Sequence, residues 1–462
     1  MKSGFMVMGS IPEAVDVAVI GGGVGGYVAA IRAAQLGKSV AVVEKEKLGG
    51  HCLNYACIPS KTLIHIANVF YDSQHSQNFG INAQNVTIDA KKMLEWRIGV
   101  SKRLEDGVAF LCKANQIDVL KGTATFLDSK SLQLTDGVTL EFKKAIIATG
   151  SEPTALPGFE FGGNVIDYKQ ALSLDHIPRS MAIIGAGYVA VEIAALYAKL
   201  GSKITILARS DVLRLFDRDA VALIKKRMQD LGVRIITQAT PAKHDISSVS
   251  LLNGEQIDAE LIVVSTGLSP FTTGLGLENT KVKLNEKGFI NINPQLVTDD
   301  PNILAIGDVV GEPMLAHKAM RQGVIAGEVA AGMNSSYDNV VVPAVIFSDP
   351  EVAVAGSIEE NEGVKVAKFP LTALGRAIAL NDTLGFVKIA YEEGNGIVKG
   401  VEIVGPDANA MIAEAALAIE MGATVEDIAD TIHPHPTYSE ALMEAAEAAL
   451  GKGIHFFQPK QK

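Results

Sequence analysis

Residues 16–44 read DVAVIGGGVGGYVAAIRAAQLGKSVAVVE: a short apolar run, a glycine turn, an alanine-rich stretch, and a second apolar run ending on Glu44. Few patterns constrain a chain more. The spacing dictates strand, tight turn, helix and parallel strand, so the surrounding domain must be α/β, with helices on the faces of a parallel sheet. Gly21 makes the turn, Gly23 lets backbone amides approach a pyrophosphate, and Gly26 lets helix and strand pack closely. The helix N-terminus stabilises the phosphate charge. Glu44, 23 positions after Gly21, is placed to accept hydrogen bonds from an adenosine ribose.

The pattern recurs over residues 181–209, MAIIGAGYVAVEIAALYAKLGSKITILAR, with Gly185 and Gly187 followed by Ala190 in the third position. Two such units imply two dinucleotides. The second strand here ends at Ala208 and Arg209 instead of an acid, with Arg214 five residues on. A cation there attracts a ribose 2′-phosphate that a carboxylate would repel, which favours NADP over NAD. Asp211 lies nearby and works against this, and two arginines at a strand end also serve as solvated surface.

At 462 residues with 48% apolar content the chain needs several cores. KKAIIATGS and LAIGDVV read as buried strands ending at Gly or Gly-Asp, so the first domain resumes after the second is inserted into it. Expected segments are 1–150 and 273–340 for the first domain, 151–272 for the inserted one, and 341–462 for a third, mixed α+β domain. A net charge of −11, with Lys and Arg clusters interrupted, argues against nucleic acid. The most apolar segment is broken by glycines and Glu192, which argues against a membrane span. Three cysteines make no disulfide framework, and MKSGFMVMGSIPEA lacks the apolar core of a secretory signal, so a reducing, cytoplasmic setting is expected.

Two of those cysteines fall in LGGHCLNYACIPSK, residues 48–61. Cys57 stands just ahead of Ile-Pro-Ser-Lys, and Pro59 suits a first helical turn. A thiol at a helix N-terminus has its thiolate stabilised, below the free value of about 8.5. With four residues between them, Cys52 and Cys57 can close a small disulfide ring beside the first dinucleotide site, within reach of a flavin. A passive thiol pair is one alternative. A metal site with His51 or His65 is another, but it lacks a second cysteine pair. Cys112 reads as core. Dithiol chemistry also needs a base, and HPHPTYSE offers His435 five residues before Glu440, a carboxylate able to fix its tautomer. His433 reads as structural.

GGGVGG, GGHCLNYACIPSK, ATGS, GAGYVAVE, AIGDVV, MLAHKA and HPHPTYSE, in this order, resemble the pyridine nucleotide-disulfide oxidoreductase family over nearly the whole length. The resemblance implies two Rossmann-like domains for FAD and NAD or NADP, and a C-terminal interface domain that builds a homodimer. It implies an active site shared between subunits, with the histidine supplied by the partner chain. By the same resemblance Cys57 is the flavin-side thiolate and Cys52 the interchange thiol. Lys61 and Glu192 form an ion pair beside the flavin, and His435 with Glu440 the acid–base pair. Contacts to FAD are implied at Gly21, Gly23, Gly26, Glu44 and Lys61, then at Gly122, Thr149, Gly150, Asp308, Ala316 and His317. Those to NAD(P) are implied at Gly185, Gly187, Tyr188, Glu192, Arg209, Arg214 and Gly267.

CIPSK, MLAHKA and the doubled histidine resemble the members that oxidise dihydrolipoamide. The implied partner is lipoamide, or the lipoyl domain of a 2-oxoacid dehydrogenase or glycine cleavage complex. GAGYVAVE and ARSDVLRLFD resemble instead the members that use NADPH to reduce a small disulfide such as glutathione. His51 and Ala56 depart from the usual pattern without removing a reacting group, and FFQPKQK, without a cysteine pair, disfavours mercuric reduction. A flavoprotein with an idle redox site is a further alternative.

Overall fold

The computed structural model describes residues 14–457; most of the opening segment MKSGFMVMGSIPEA and of the FFQPKQK end lies outside them. The chain forms two compact units. The first runs through Thr62 and includes Lys91–Thr154 and Gly267–Asp338; the second holds Leu63–Ala90, Ala155–Thr266 and the chain from Asn339 on.

The first unit is built on a seven-stranded sheet. Its parallel part runs from the edge strand Asp118–Lys121 through Val40–Glu44, Ala14–Ile20 and Thr139–Ile147 to Ile303–Ala305. Residues 132–142, LQLTDGVTLEF, form a hairpin whose second arm continues without a break into KKAII as the single strand Thr139–Ile147. This one strand thus pairs antiparallel with Ser131–Leu134 through its first residues, and parallel with Ala14–Ile20 and Ile303–Ala305. Helix Val24–Gln35 covers one face, and helix Ala316–Ala330 packs on it through glycines. A Cβ at Gly323 would stand 2.5 Å from Gly25 O, and one at Gly327 2.7 Å from Ala29 O. Backbones this close fix where the second helix begins.

The second unit contains a five-stranded parallel sheet, ordered Arg234–Ile236, Lys203–Leu207, Ser180–Ile184, Leu261–Val264, Val165–Ile166. It also contains a five-stranded antiparallel sheet centred on Val398–Val404 and covered by helices Ala408–Glu420 and Glu440–Ala449. This is the mixed α+β texture expected beyond Val341. The far half of helix Cys57–Gln74 belongs to this unit, where Lys199 donates to Asn68 Oδ1 (2.8 Å) and pairs with Asp349 (2.6 Å). Among the described residues no helix is long and apolar enough to cross a membrane.

Candidate active site

The first glycine turn is crowded where the sequence reading needs it to be. Gly21 has φ +101°, and a Cβ there would meet Ala148 O at 2.4 Å; a Cβ at Gly26 would stand 1.9 Å from Gly21 O. Only glycine fits either position. Gly23 caps helix Val24–Gln35 without a side-chain partner, leaving amides directed out of the turn. Glu44, at the end of its strand, accepts from Gly22 N (2.7 Å) and Glu46 N (2.6 Å). The acid is therefore clamped by backbone on both oxygens, with the remaining lone pairs left for a ligand. Gly122 N donates to Glu44 O (2.9 Å), and Thr149 Oγ1 donates to Phe271 O (2.7 Å) beside Gly150.

Cys52 lies in the short helix Gly50–Asn54, and Cys57 opens helix Cys57–Gln74 with Pro59 in its first turn. Neither thiol is in a disulfide, both are partly buried, and their side chains hydrogen-bond to each other. That hydrogen bond is the largest cause pushing the Cys52 thiol up. Desolvation and repulsion from Cys57 add to it, and the Lys61 charge opposes it. Each of these causes except the Lys61 charge disfavours a thiolate on Cys52. Cys112 is fully buried in the core beside Val108 and Ile117, as its apolar setting suggested.

Asp308 sits in the short turn Gly307–Val310 and accepts from Ser151 Oγ at 2.7 Å. Burial pushes its carboxyl up, and the Ser151 hydrogen bond and the Lys318 charge oppose that. Its charge in turn raises Cys52, so the dithiol and this carboxylate share one electrostatic environment within the first unit. Ala316 and His317 open helix Ala316–Ala330. Ser151 and Lys318 stand inside ATGS and MLAHKA but were given no role there, and Gln322 lies beyond the motifs. A lysine and a glutamine four residues apart on an alanine- and glycine-rich helix were the available signal.

In the second unit Gly185 has φ +124°, and a Cβ there would stand 2.0 Å from Ser265 O. Gly187 caps helix Tyr188–Lys199 with open space before it, and Tyr188 is 39% exposed at the helix start. Glu192 is buried and accepts from Phe347 N at 3.0 Å. Arg209 and Arg214 are exposed beyond strand Lys203–Leu207. Asp211, the acid that could have cancelled them, pairs with Lys225 at 2.5 Å, and that hydrogen bond holds its carboxyl low. Gly267 falls in the first unit, where its carbonyl accepts from Thr154 N (3.1 Å) at a two-stranded ribbon.

His435 Nδ1 meets Glu440 Oε1 at 2.9 Å, and Glu440 begins helix Glu440–Ala449. His433 has both nitrogens engaged, with Thr431 O at 2.8 Å and Glu414 Oε1 at 2.9 Å. The Glu414 hydrogen bond raises the His433 pKa, whereas the His435 side chain is 76% exposed. No cluster of His, Cys, Asp and Glu able to hold a metal occurs among the described residues.

Residues 15–323 match the family model described as pyridine nucleotide-disulphide oxidoreductase, and residues 342–446 match its dimerisation domain. The dihydrolipoyl dehydrogenase of Geobacillus stearothermophilus is 47% identical, covering 97% of this chain and 99% of that protein; that of Bacillus subtilis is 44% identical with the same coverage. Among solved structures, LpdA from Mycobacterium tuberculosis superposes with a TM-score of 0.87 at 26% identity, over 94% of this chain and 99% of that one. The flavoprotein disulfide reductase RclA from Escherichia coli gives 0.85 at 27%, with the same coverage. The chain belongs to the pyridine nucleotide-disulphide oxidoreductase family.

Proposed function

We propose that this protein is a homodimeric flavoenzyme that oxidises a dihydrolipoyl dithiol to its cyclic disulfide, with NAD(P)+ as the final acceptor. The hydrogen-bonded Cys52–Cys57 pair carries the reading, and the relatives named dihydrolipoyl dehydrogenase support the substrate. FAD fits the residues present: the turn at Gly21 and Gly26 has no room for side chains, and Asp308 keeps Oδ1 for a sugar hydroxyl while Ser151 takes Oδ2. Bound there, FAD supplies the two-electron relay between the dithiol and a nicotinamide.

The chain's own part begins with Cys52 and Cys57 joined as a disulfide. His435 Nε2 accepts the proton of one substrate thiol, and Glu440 steadies the imidazolium through Nδ1. The substrate thiolate attacks Sγ of Cys52, breaking the Cys52–Cys57 bond and leaving the negative charge on Cys57. The second substrate thiol then closes the substrate's own S–S bond and releases Cys52, which takes up a proton. Two electrons and the substrate disulfide are thereby exchanged in balance. The exposed His435 and the dimerisation-domain match support an imidazole donated across a two-fold interface.

Arg209 and Arg214, unopposed by Asp211, favour NADP+ over NAD+. A lipoyl domain of a 2-oxoacid dehydrogenase or glycine cleavage complex is the natural carrier of the substrate, and the cytoplasm its setting. The same arginines favour a second reading, NADPH-dependent reduction of a small disulfide. Turnover of dihydrolipoamide with NAD+ or NADP+, set against NADPH with glutathione disulfide, decides between them. Absence of dihydrolipoamide oxidation with either nucleotide removes the first.

A further inference from the structure

The turn that carries Asp308 is held by two buried side chains to which the motif reading assigned no role. Lys318 is 4% exposed and Gln322 3%, one helical turn apart on the same face of helix Ala316–Ala330. Lys318 Nζ donates to Gly311 O at 2.5 Å and to Gly307 O at 3.4 Å, while Gln322 Oε1 accepts from Gly307 N at 2.8 Å. The two carbonyls bracket Asp308 in sequence, so one ammonium grips the turn on both sides of the carboxylate.

Burying an ammonium is costly unless hydrogen bonds and opposite charge meet it. Burial pulls the Lys318 pKa down, and Asp308 and Glu312 oppose that. The groups facing Asp308 are the Lys318 ammonium, the Ser151 hydroxyl, the Glu312 carboxylate and the Cys52 thiol. Of these Lys318 brings a positive charge, while burial by itself pushes Asp308 toward its neutral acid. A protonated Asp308 loses acceptor capacity that a ribityl chain would use.

We propose that Lys318 is the positioning residue of the ribityl anchor: its ammonium clamps the turn from Gly307 to Gly311 and keeps Asp308 a carboxylate that accepts hydrogen bonds from FAD. The proposal rests on the flavin reading above. Its action runs through Asp308, and Gln322 completes the clamp from the amide side.

The test is FAD binding to flavin-stripped protein, followed by quenching of flavin fluorescence at about pH 5.5 and about pH 8. Lys318→Met should weaken binding about tenfold or more at both. Lys318→Gln, which keeps a donor without the charge, should lose more affinity at the acid pH than at the alkaline one. In the Asp308→Asn background, Lys318→Gln should cost no more than about twofold, because the residue it serves is already neutral. Lys318 variants that bind FAD like wild type at both pH values, or losses that add in the double variant, overturn the proposal. Should Lys318→Met fail to fold, as judged by melting of the stripped protein, the Gln variant and the double-variant cycle decide. Wild-type protein that takes up no FAD would remove the flavin reading itself, a separate outcome.

Discussion

His435 Nδ1 and Glu440 Oε1 lie 2.9 Å apart, and Thr437 N holds the other Glu440 oxygen at 2.8 Å. A carboxylate fixed in this way fixes the ring tautomer, leaving Nε2 as the acceptor and stabilising the imidazolium once it has taken a proton. Glu440→Gln keeps the shape and removes the charge. It should lower kcat for dihydrolipoamide oxidation about 10²-fold while the melting temperature stays within a few degrees. Steady-state kinetics with unchanged kcat would exclude the pair from the chemistry.

The hydrogen bond between Cys52 and Cys57 makes a prediction about thiol reactivity. Cys57 is the first cause of the raised Cys52 pKa, through that bond and through its charge. In Cys57→Ala both contributions disappear, and Lys61 still favours the thiolate. The pH profile of Cys52 alkylation by iodoacetamide should therefore move to lower pH than in the reduced wild type. A profile that stays put or moves upward would show that burial alone controls this thiol.

The two glycine turns were legible because sterics at Gly21, Gly26 and Gly185 are local: the residues that crowd them are set by strand–turn–helix geometry. The helix start at Cys57 was legible for the same reason, whereas Cys52 lies in a short helix of its own that the glycine-rich sequence did not announce. Lys318 and Gln322 were not legible, since their role depends on where helix Ala316–Ala330 lands, and that is set by glycine contacts nearly 300 residues apart in the chain. KKAII was read as a strand of its own although the strand runs unbroken over Thr139–Ile147, because alternation along TLEF gives way to a fully apolar run in AII, each with its own signature. His433 and His435 share one motif; His433, read as structural, has both ring nitrogens engaged, and His435, read as the base, is exposed.

Arg209 and Arg214 yield a prediction on nucleotide choice. With Asp211 committed to Lys225, neither arginine is opposed by it beyond strand Lys203–Leu207. Arg209→Glu replaces attraction for a 2′-phosphate with repulsion and offers a ribose diol an acceptor. The ratio of kcat/KM for NADP+ to that for NAD+ should fall by about tenfold or more. An unchanged ratio in the variant would take these arginines out of the nucleotide site.

Glu402 lies fully buried in the central strand Val398–Val404, with neither oxygen hydrogen-bonded. Lys388 is its cross-strand neighbour, but the Lys388 ammonium is engaged by Asp217 (2.7 Å) and Asp219 (3.0 Å). Burial, reinforced by Asp217 and only partly offset by Lys388, pushes Glu402 from 4.5 to about 8. Below the unfolded value both states hold the proton and this group costs nothing. Between about 4.5 and about 8 the folded chain binds the extra proton, so stability falls steadily as pH rises through that window and levels off above it. At pH 7 the loss is on the order of 3 kcal/mol. Glu402→Gln removes the titration without changing the shape. Its urea midpoint should match wild type near pH 5 and exceed it by a growing margin toward about pH 8. A difference between variant and wild type that does not change with pH would mean that Glu402 is already ionised in the folded protein.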